Sequence, residues 1–177
     1  IRLGEFKGGK ARLQTGETFV LTTRKVEGDE VRVSVQYNQL HKDVSKGDRI
    51  LIADGTVQLR VVDVEDKDII TKVVVGGTLK DHKGINLPGV NISTPSVTEK
   101  DKRDIKLGIK LGVDMVAVSF VRGPDDVLQV RRMIRKAGSK SFVIAKIEHP
   151  DAVAALDEIL DVCDGIMVAR GDLGVEL

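Results

Sequence analysis

The chain has 177 residues, 41% of them hydrophobic and 31% charged, enough for one substantial core or two small ones and too apolar for a disordered segment. Basic and acidic side chains number 28 and 27, a formal charge of +1, so the basic excess that backbone-driven nucleic-acid binding needs is missing. Apolar runs such as Val73 to Val75 and Val113 to Val118 are too short to span a bilayer, no signal-peptide pattern is visible, and the single cysteine has no internal partner, which together point away from a membrane and to a reducing, cytoplasmic setting.

From about residue 5 to residue 85 the hydrophobic pattern has period two in short segments. Thr18–Thr22, Val31–Val35, Arg49–Ala53, Thr56–Val64 and Ile69–Val75 are predicted strands, rich in β-branched residues. Asp54-Gly55 lies between two of them and signals a hairpin, because both residues tolerate positive φ. Gly8-Gly9, Gly28-Asp29, Lys46-Gly47-Asp48 and Gly76-Gly77 punctuate the remainder. This half therefore predicts a small antiparallel β-barrel or sandwich without a helix of more than a turn or two.

Beyond Pro88-Gly89 the period changes. Thr98 with Asp101 three residues later predicts a helix N-cap resembling a capping box; Ile105, Ile109 and Leu111 form its stripe and Gly112 its stop. Val113–Phe120 is a predicted strand buried on both faces. Gly123-Pro124 opens a second helix with Val127, Val130, Ile134 and Ala137 as its buried stripe, ended by Gly138. Phe142–Ile147 is the next strand, Pro150 starts a third helix through Ala152, Leu156, Ile159 and Leu160, and Gly165–Ala169 is the third strand. Helix and buried strand alternating three times predict a parallel α/β sheet.

Ligands of parallel α/β folds sit at the carboxyl ends of the strands. Those ends are Ser119-Phe120-Val121-Arg122, Lys146-Ile147-Glu148 and Arg170-Gly171-Asp172. Residues two apart on a strand share a side, so Lys146 with Glu148, and Arg170 with Asp172, are each expected to project together. Carboxylates on adjacent strand ends suit a hard divalent cation such as Mg²⁺ or Mn²⁺, and a lysine beside it suits phosphate or enolate oxygens. Gly171, lacking Cβ, would let a ligand carboxylate reach the amides of a following turn or short helix. Cys163 is expected to be an inert packing thiol, and His149 a helix-start residue.

At this point five segments, in order, carry a resemblance. Ile144-Ala145-Lys146-Ile147-Glu148 and Asp164 to Glu176 resemble the two signature stretches of the pyruvate kinase family; Lys83 to Gly89, Ser119 to Arg122 and Ile1 to Gly4 resemble three more of its segments. The resemblance implies phosphoryl transfer between phosphoenolpyruvate and ADP/ATP in glycolysis. It implies Lys146 as the catalytic, phosphoryl- and enolate-stabilising lysine; Glu148 and Asp172 as Mg²⁺ ligands; Gly171, Asp172 and Ser119 as substrate contacts; and Arg2 and Lys83 as nucleotide contacts. Arg170 would then hold a carboxylate or an adjacent subunit in place. It further implies a full-length homotetramer and K⁺, whose ligands are expected outside these residues.

The implied architecture is α/β plus all-β. Residues 1–3 would end a barrel strand, 4–86 would form a β-barrel lid, and 87–177 would supply three β/α units of an incomplete (β/α)₈ barrel. The 177 residues alone are expected to be inactive. The sequence departs from the family's pattern at Ala53, where an aspartate is usual, and at His149, where asparagine is usual. Two other readings compete: a metal-dependent aldolase or lyase of the phosphoenolpyruvate/pyruvate barrels, and a non-enzymatic β-barrel binding module. The inserted β-domain argues against the first. An aromatic content of 3% leaves the second few stacking platforms.

Overall fold

The computed structural model describes residues 1–93 and 95–176. Contacts divide the chain into two compact units, Ile1–Ser93 and Thr94–Leu177.

In the first unit, strands β1 (Lys10–Leu13) and β7 (Gly77–Lys80) form a two-stranded antiparallel ribbon. A six-stranded sheet runs in the order β3-β2-β6-β5-β4-β8, with β2 at Thr18–Thr22, β3 at Arg32–Ser34, β4 at Arg49–Ile52, β5 at Val57–Glu65, β6 at Asp68–Val75 and β8 at Ile85–Asn86. A single helical turn, α1 (Leu40–Asp43), interrupts it. The alternation read from the sequence is real: Val57, Leu59 and Val61 are buried while Arg60 and Val62 are exposed. One pairing departs from the antiparallel expectation, since β2 and β3 run parallel.

Residues 1–3, expected to end a barrel strand, join this sheet's two edges together with Gly4. Leu3 bridges Val35, just past β3, and Arg2 bridges Gly84, just before β8. Gly4 N–H donates to Ser34 O at 2.7 Å and Leu3 N–H to Lys83 O at 2.9 Å. The hydrogen-bonded edges that an open sheet would leave to solvent are thereby occupied. Phe19, Leu21, Ile50, Ile69 and Leu3, all 0% exposed, fill the interior.

The second unit carries a three-stranded parallel sheet in the order β11-β10-β9, built from β9 (Met115–Val118), β10 (Phe142–Ile147) and β11 (Gly165–Val168). Helix α2 (Glu99–Lys110) starts at Thr98, which forms a complete capping box with Asp101, as the spacing predicts. Helix α3 (Pro124–Lys136) buries Val127, Val130 and Ile134 against Val143, Ala145 and Ile147 of β10. Ala137, counted into the buried stripe of the second helix from sequence, is exposed, because it lies beyond the last helical turn, as Leu111 does after α2. The third predicted helix is two, α4 (Pro150–Ala154) and α5 (Leu156–Leu160), separated at Ala155. β9 is shorter than expected and not buried on both faces: Met115 is 60% exposed, and among the described residues no strand flanks β9 on its outer edge.

Candidate active site

Both side chains of interest on β10 emerge at its carboxyl end. Val143, Ala145 and Ile147 face α3, so alternation turns Lys146 to the opposite face. Glu148 follows the strand and keeps that side, and the two meet: Lys146 Nζ lies 2.5 Å from Glu148 Oε1. Glu148 is 1% exposed. A carboxylate that deep is tolerated only when paired and hydrogen-bonded. Its second oxygen, Oε2, accepts the Phe120 N–H at 2.7 Å, and Lys146 Nζ also donates to Ser119 Oγ at 3.2 Å. The Ser119-Phe120 turn after β9 therefore holds both charged groups at the carboxyl end of β10, and parallel pairing of Ala145 with Val118 sets the strands in register for it.

The third strand differs from expectation. β11 ends at Val168, and Arg170 opens helix α6 (Arg170–Glu176). Arg170 and Asp172 thus lie in a first helical turn, where residues two apart diverge by about 200° and do not share a side. The sequence continues apolar to Ala169 and carries no cap signal there, so the strand period overran. Ala169 N–H still bonds Ile147 O at 3.2 Å, and its carbonyl accepts the Leu173 N–H at 3.0 Å, which starts the helix. Asp172 is half-buried, and its side chain makes no hydrogen bond or ion pair among the described residues. Gly171 has open space where a Cβ would sit.

A hard divalent cation suits this donor set. The candidate ligands are carboxylate oxygens, and a lysine ammonium already lies against the buried one, marking a place where positive charge is stabilised. Among the described residues no three His, Cys, Asp or Glu side chains gather. A cation here would draw at most two protein carboxylates and complete its shell with water or substrate oxygens, the habit of Mg²⁺.

Arg2 and Lys83 lie in the first unit on paired segments. Both are exposed, and the Arg2 guanidinium donates to His82 O at 2.9 Å. His149 caps α4, its Nδ1 accepting the Asp151 N–H at 3.2 Å. Cys163 packs half-buried against the second core. The contact that sequence reasoning missed is the Phe120 amide: a backbone donor leaves no mark in residue type, and what sets the position apart is its φ of 51°, uncommon for so large a side chain.

A family model described as "Pyruvate kinase, barrel domain" matches residues 1–177. The chain is 50% identical over 177 residues to a pyruvate kinase of Corynebacterium efficiens, covering 100% of the chain and 37% of that relative. It is 48% identical over 177 residues to one of Thermococcus litoralis, again covering 100% of the chain and 37% of the relative. A crystal structure of a pyruvate kinase from Cryptosporidium parvum superposes with a TM-score of 0.87 at 35% identity, covering 99% of the chain and 38% of that structure. The chain thus spans little more than a third of the length of these relatives.

Proposed function

Because the chain belongs to the pyruvate kinase family, we propose that the protein carrying it transfers the phosphoryl group of phosphoenolpyruvate to ADP, giving pyruvate and ATP. Residues 4–86 act as the β-barrel lid and residues 87–177 as three β/α units of a (β/α)₈ catalytic barrel. The protein works in the cytoplasm as a homotetramer and takes K⁺ through ligands outside this chain.

The observation that carries the reading is the pairing of half-buried Lys146 with buried Glu148, held by the turn at the end of the neighbouring parallel strand. Lys146 places a point charge where phosphoryl and enolate oxygens gain negative charge in the transition state, and a preoriented cation there needs no reorganisation during reaction. Ser119 Oγ steers that ammonium and contacts the substrate phosphate. Glu148 and Asp172 would hold Mg²⁺, which when bound supplies electrostatic stabilisation of phosphoryl and enolate oxygens. The Gly171 and Asp172 amides take the substrate carboxylate. Arg2 and Lys83 take nucleotide phosphates, and Arg170 supports the site from outside it.

Steady-state pyruvate formation by the intact protein tests this. Lys146→Ala should lower turnover by ~10²–10³, the typical loss of one positioned electrostatic group. Glu148→Gln should raise the Mg²⁺ concentration required. Wild-type turnover in Lys146→Ala would overturn the assignment.

A further inference from the structure

We propose that Phe120 is a positioning residue for Glu148, acting through its left-handed backbone and not through its ring. The inference rests on the reading of Glu148 as a cation ligand and names what orients that ligand. Phe120 has φ 51°, a conformation that large side chains seldom adopt and that persists only where the surroundings over-determine it. Here they do so from both sides. The Phe120 N–H donates to Glu148 Oε2 at 2.7 Å, and the Phe120 carbonyl accepts from Ser96 Oγ at 3.1 Å. The two anchors lie on opposite sides of the Phe120 Cα, so relaxing φ to a negative value must release one of them.

The ring has no comparable hold, since Phe120 is 41% exposed. What the strain secures is an orientation. With Oε2 pinned by the amide, Oε1 stays against Lys146 at 2.5 Å, and the buried carboxyl group is not free to turn about its last torsion. Such a donor behind a metal ligand has a known scale of effect: its loss typically weakens metal binding by about 10- to 100-fold.

The test is Mn²⁺ titration of the intact protein by water-proton relaxation, with steady-state kinetics beside it. Phe120→Val, whose β-branched side chain resists positive φ, should weaken Mn²⁺ binding by about tenfold or more. It should raise the KM for the cation while kcat at saturating cation changes little. Phe120→Asn and Phe120→Gly, which accept positive φ, should restore the affinity that Phe120→Val loses. Ser96→Ala, which removes only the carbonyl anchor, should weaken binding in the same direction and carries the test if Phe120→Val does not fold. Wild-type affinity in Phe120→Val or in Ser96→Ala would overturn the inference. So would equal weakening in Phe120→Asn, Phe120→Gly and Phe120→Val, which would assign the effect to the ring. Unchanged Mn²⁺ binding in Glu148→Gln would instead remove the cation reading itself, and the inference with it.

Discussion

The Arg131 guanidinium on α3 lies 2.9 Å from Asp164 Oδ2 at the entry to β11, and the same oxygen accepts the Val143 N–H of β10 at 2.7 Å. Arg131 Nε also donates to Val162 O at 2.9 Å. One helix is thereby tied to two strands at the end of the sheet opposite the candidate site. The side chains are 19% and 26% exposed, which spares the pair the full screening of a surface salt bridge. Arg131→Ala should cost about 1–2 kcal/mol, from the charge-assisted bonds and from lost packing of its stem. Denaturant unfolding of the variant checks this, and an unchanged midpoint would show that the clasp contributes nothing.

The same carboxylate gives the stability a pH dependence of definite sign. The Val143 N–H, and after it the Arg131 guanidinium, hold the Asp164 carboxyl below its ordinary value of 3.8, against an opposing effect of burial. A folded-state value below the unfolded one adds stability that is complete above the ordinary carboxylate range and is lost as pH falls through the lowered value. Asp101 in the capping box is lowered chiefly by the Thr98 side chain and acts with the same sign. Stability should therefore stay level near neutrality and fall as pH drops below the ordinary carboxylate range. Asp164→Asn should be less stable at neutral pH and show a shallower acid loss, read from unfolding midpoints across that range.

Ala53 has φ 52° in the loop between β4 and β5, followed by Asp54 at 59° and Gly55 at 80°. The left-handed region costs a residue with a Cβ roughly 1–2 kcal/mol, least for asparagine and aspartate, whose side chains bond locally. The resemblance implies an aspartate at this position, so Ala53 carries strain that such a residue would relieve. Ala53→Asn or Ala53→Gly should raise stability by up to about 1 kcal/mol, seen as a small upward shift of the thermal midpoint. A downward shift would mean that the half-buried Ala53 methyl packs to more effect than its backbone conformation costs.

How far the sequence could be read follows from where its signals were strong. β2 and β10 have the bounds expected, because Thr18–Thr22 and Phe142–Ile147 are dense in β-branched and aromatic residues. β1, β7 and β8 went unseen: Lys10-Ala11-Arg12-Leu13, Gly77-Thr78-Leu79-Lys80 and Ile85-Asn86 are short, and only pairing across some 70 residues makes β1 and β7 strands at all. The helix starts at Thr98 and Pro124 were legible from local chemistry, as were the stops at Gly112 and Gly138, both at positive φ. At the site, the meeting of Lys146 with Glu148 was legible from alternation alone. The turn of the chain at Arg170 and the donation from Phe120 were not, the one for lack of a cap signal and the other because every residue but proline carries a backbone N–H.

The first unit should fold alone. Its core runs from Leu3 to Val90 and shares no residue with the core built on β10 and α3. Residues 1–4 close its sheet edges, so a chain beginning at residue 5 would lose that closure. Residues 1–93 expressed alone should unfold cooperatively and give a β-type circular dichroism spectrum, whereas residues 5–93 should be less stable. A collapsed amide spectrum from residues 1–93 would show that the first core is insufficient by itself.

Removing Lys146 should make the protein's stability depend more strongly on divalent cations. Glu148 is 1% exposed, and its Oε1 takes positive charge from the Lys146 ammonium at 2.5 Å. In Lys146→Ala that oxygen keeps its burial and loses its partner, a defect worth about 1–3 kcal/mol. A divalent cation would supply the missing charge. It would also bind more tightly than in the wild type, where it meets the repulsion of the ammonium. A ligand that binds only the folded state adds about 2.7 kcal/mol when present at 100 times its dissociation constant, enough to offset the defect. The thermal midpoint of Lys146→Ala should therefore lie below that of the wild type without divalent cation and rise further on adding Mg²⁺ or Mn²⁺. In the Lys146→Ala, Glu148→Gln double variant both the deficit and the extra rise should disappear, because a neutral amide needs no counter-charge. An equal cation response in wild type and Lys146→Ala would place the cation, if one binds, away from Glu148.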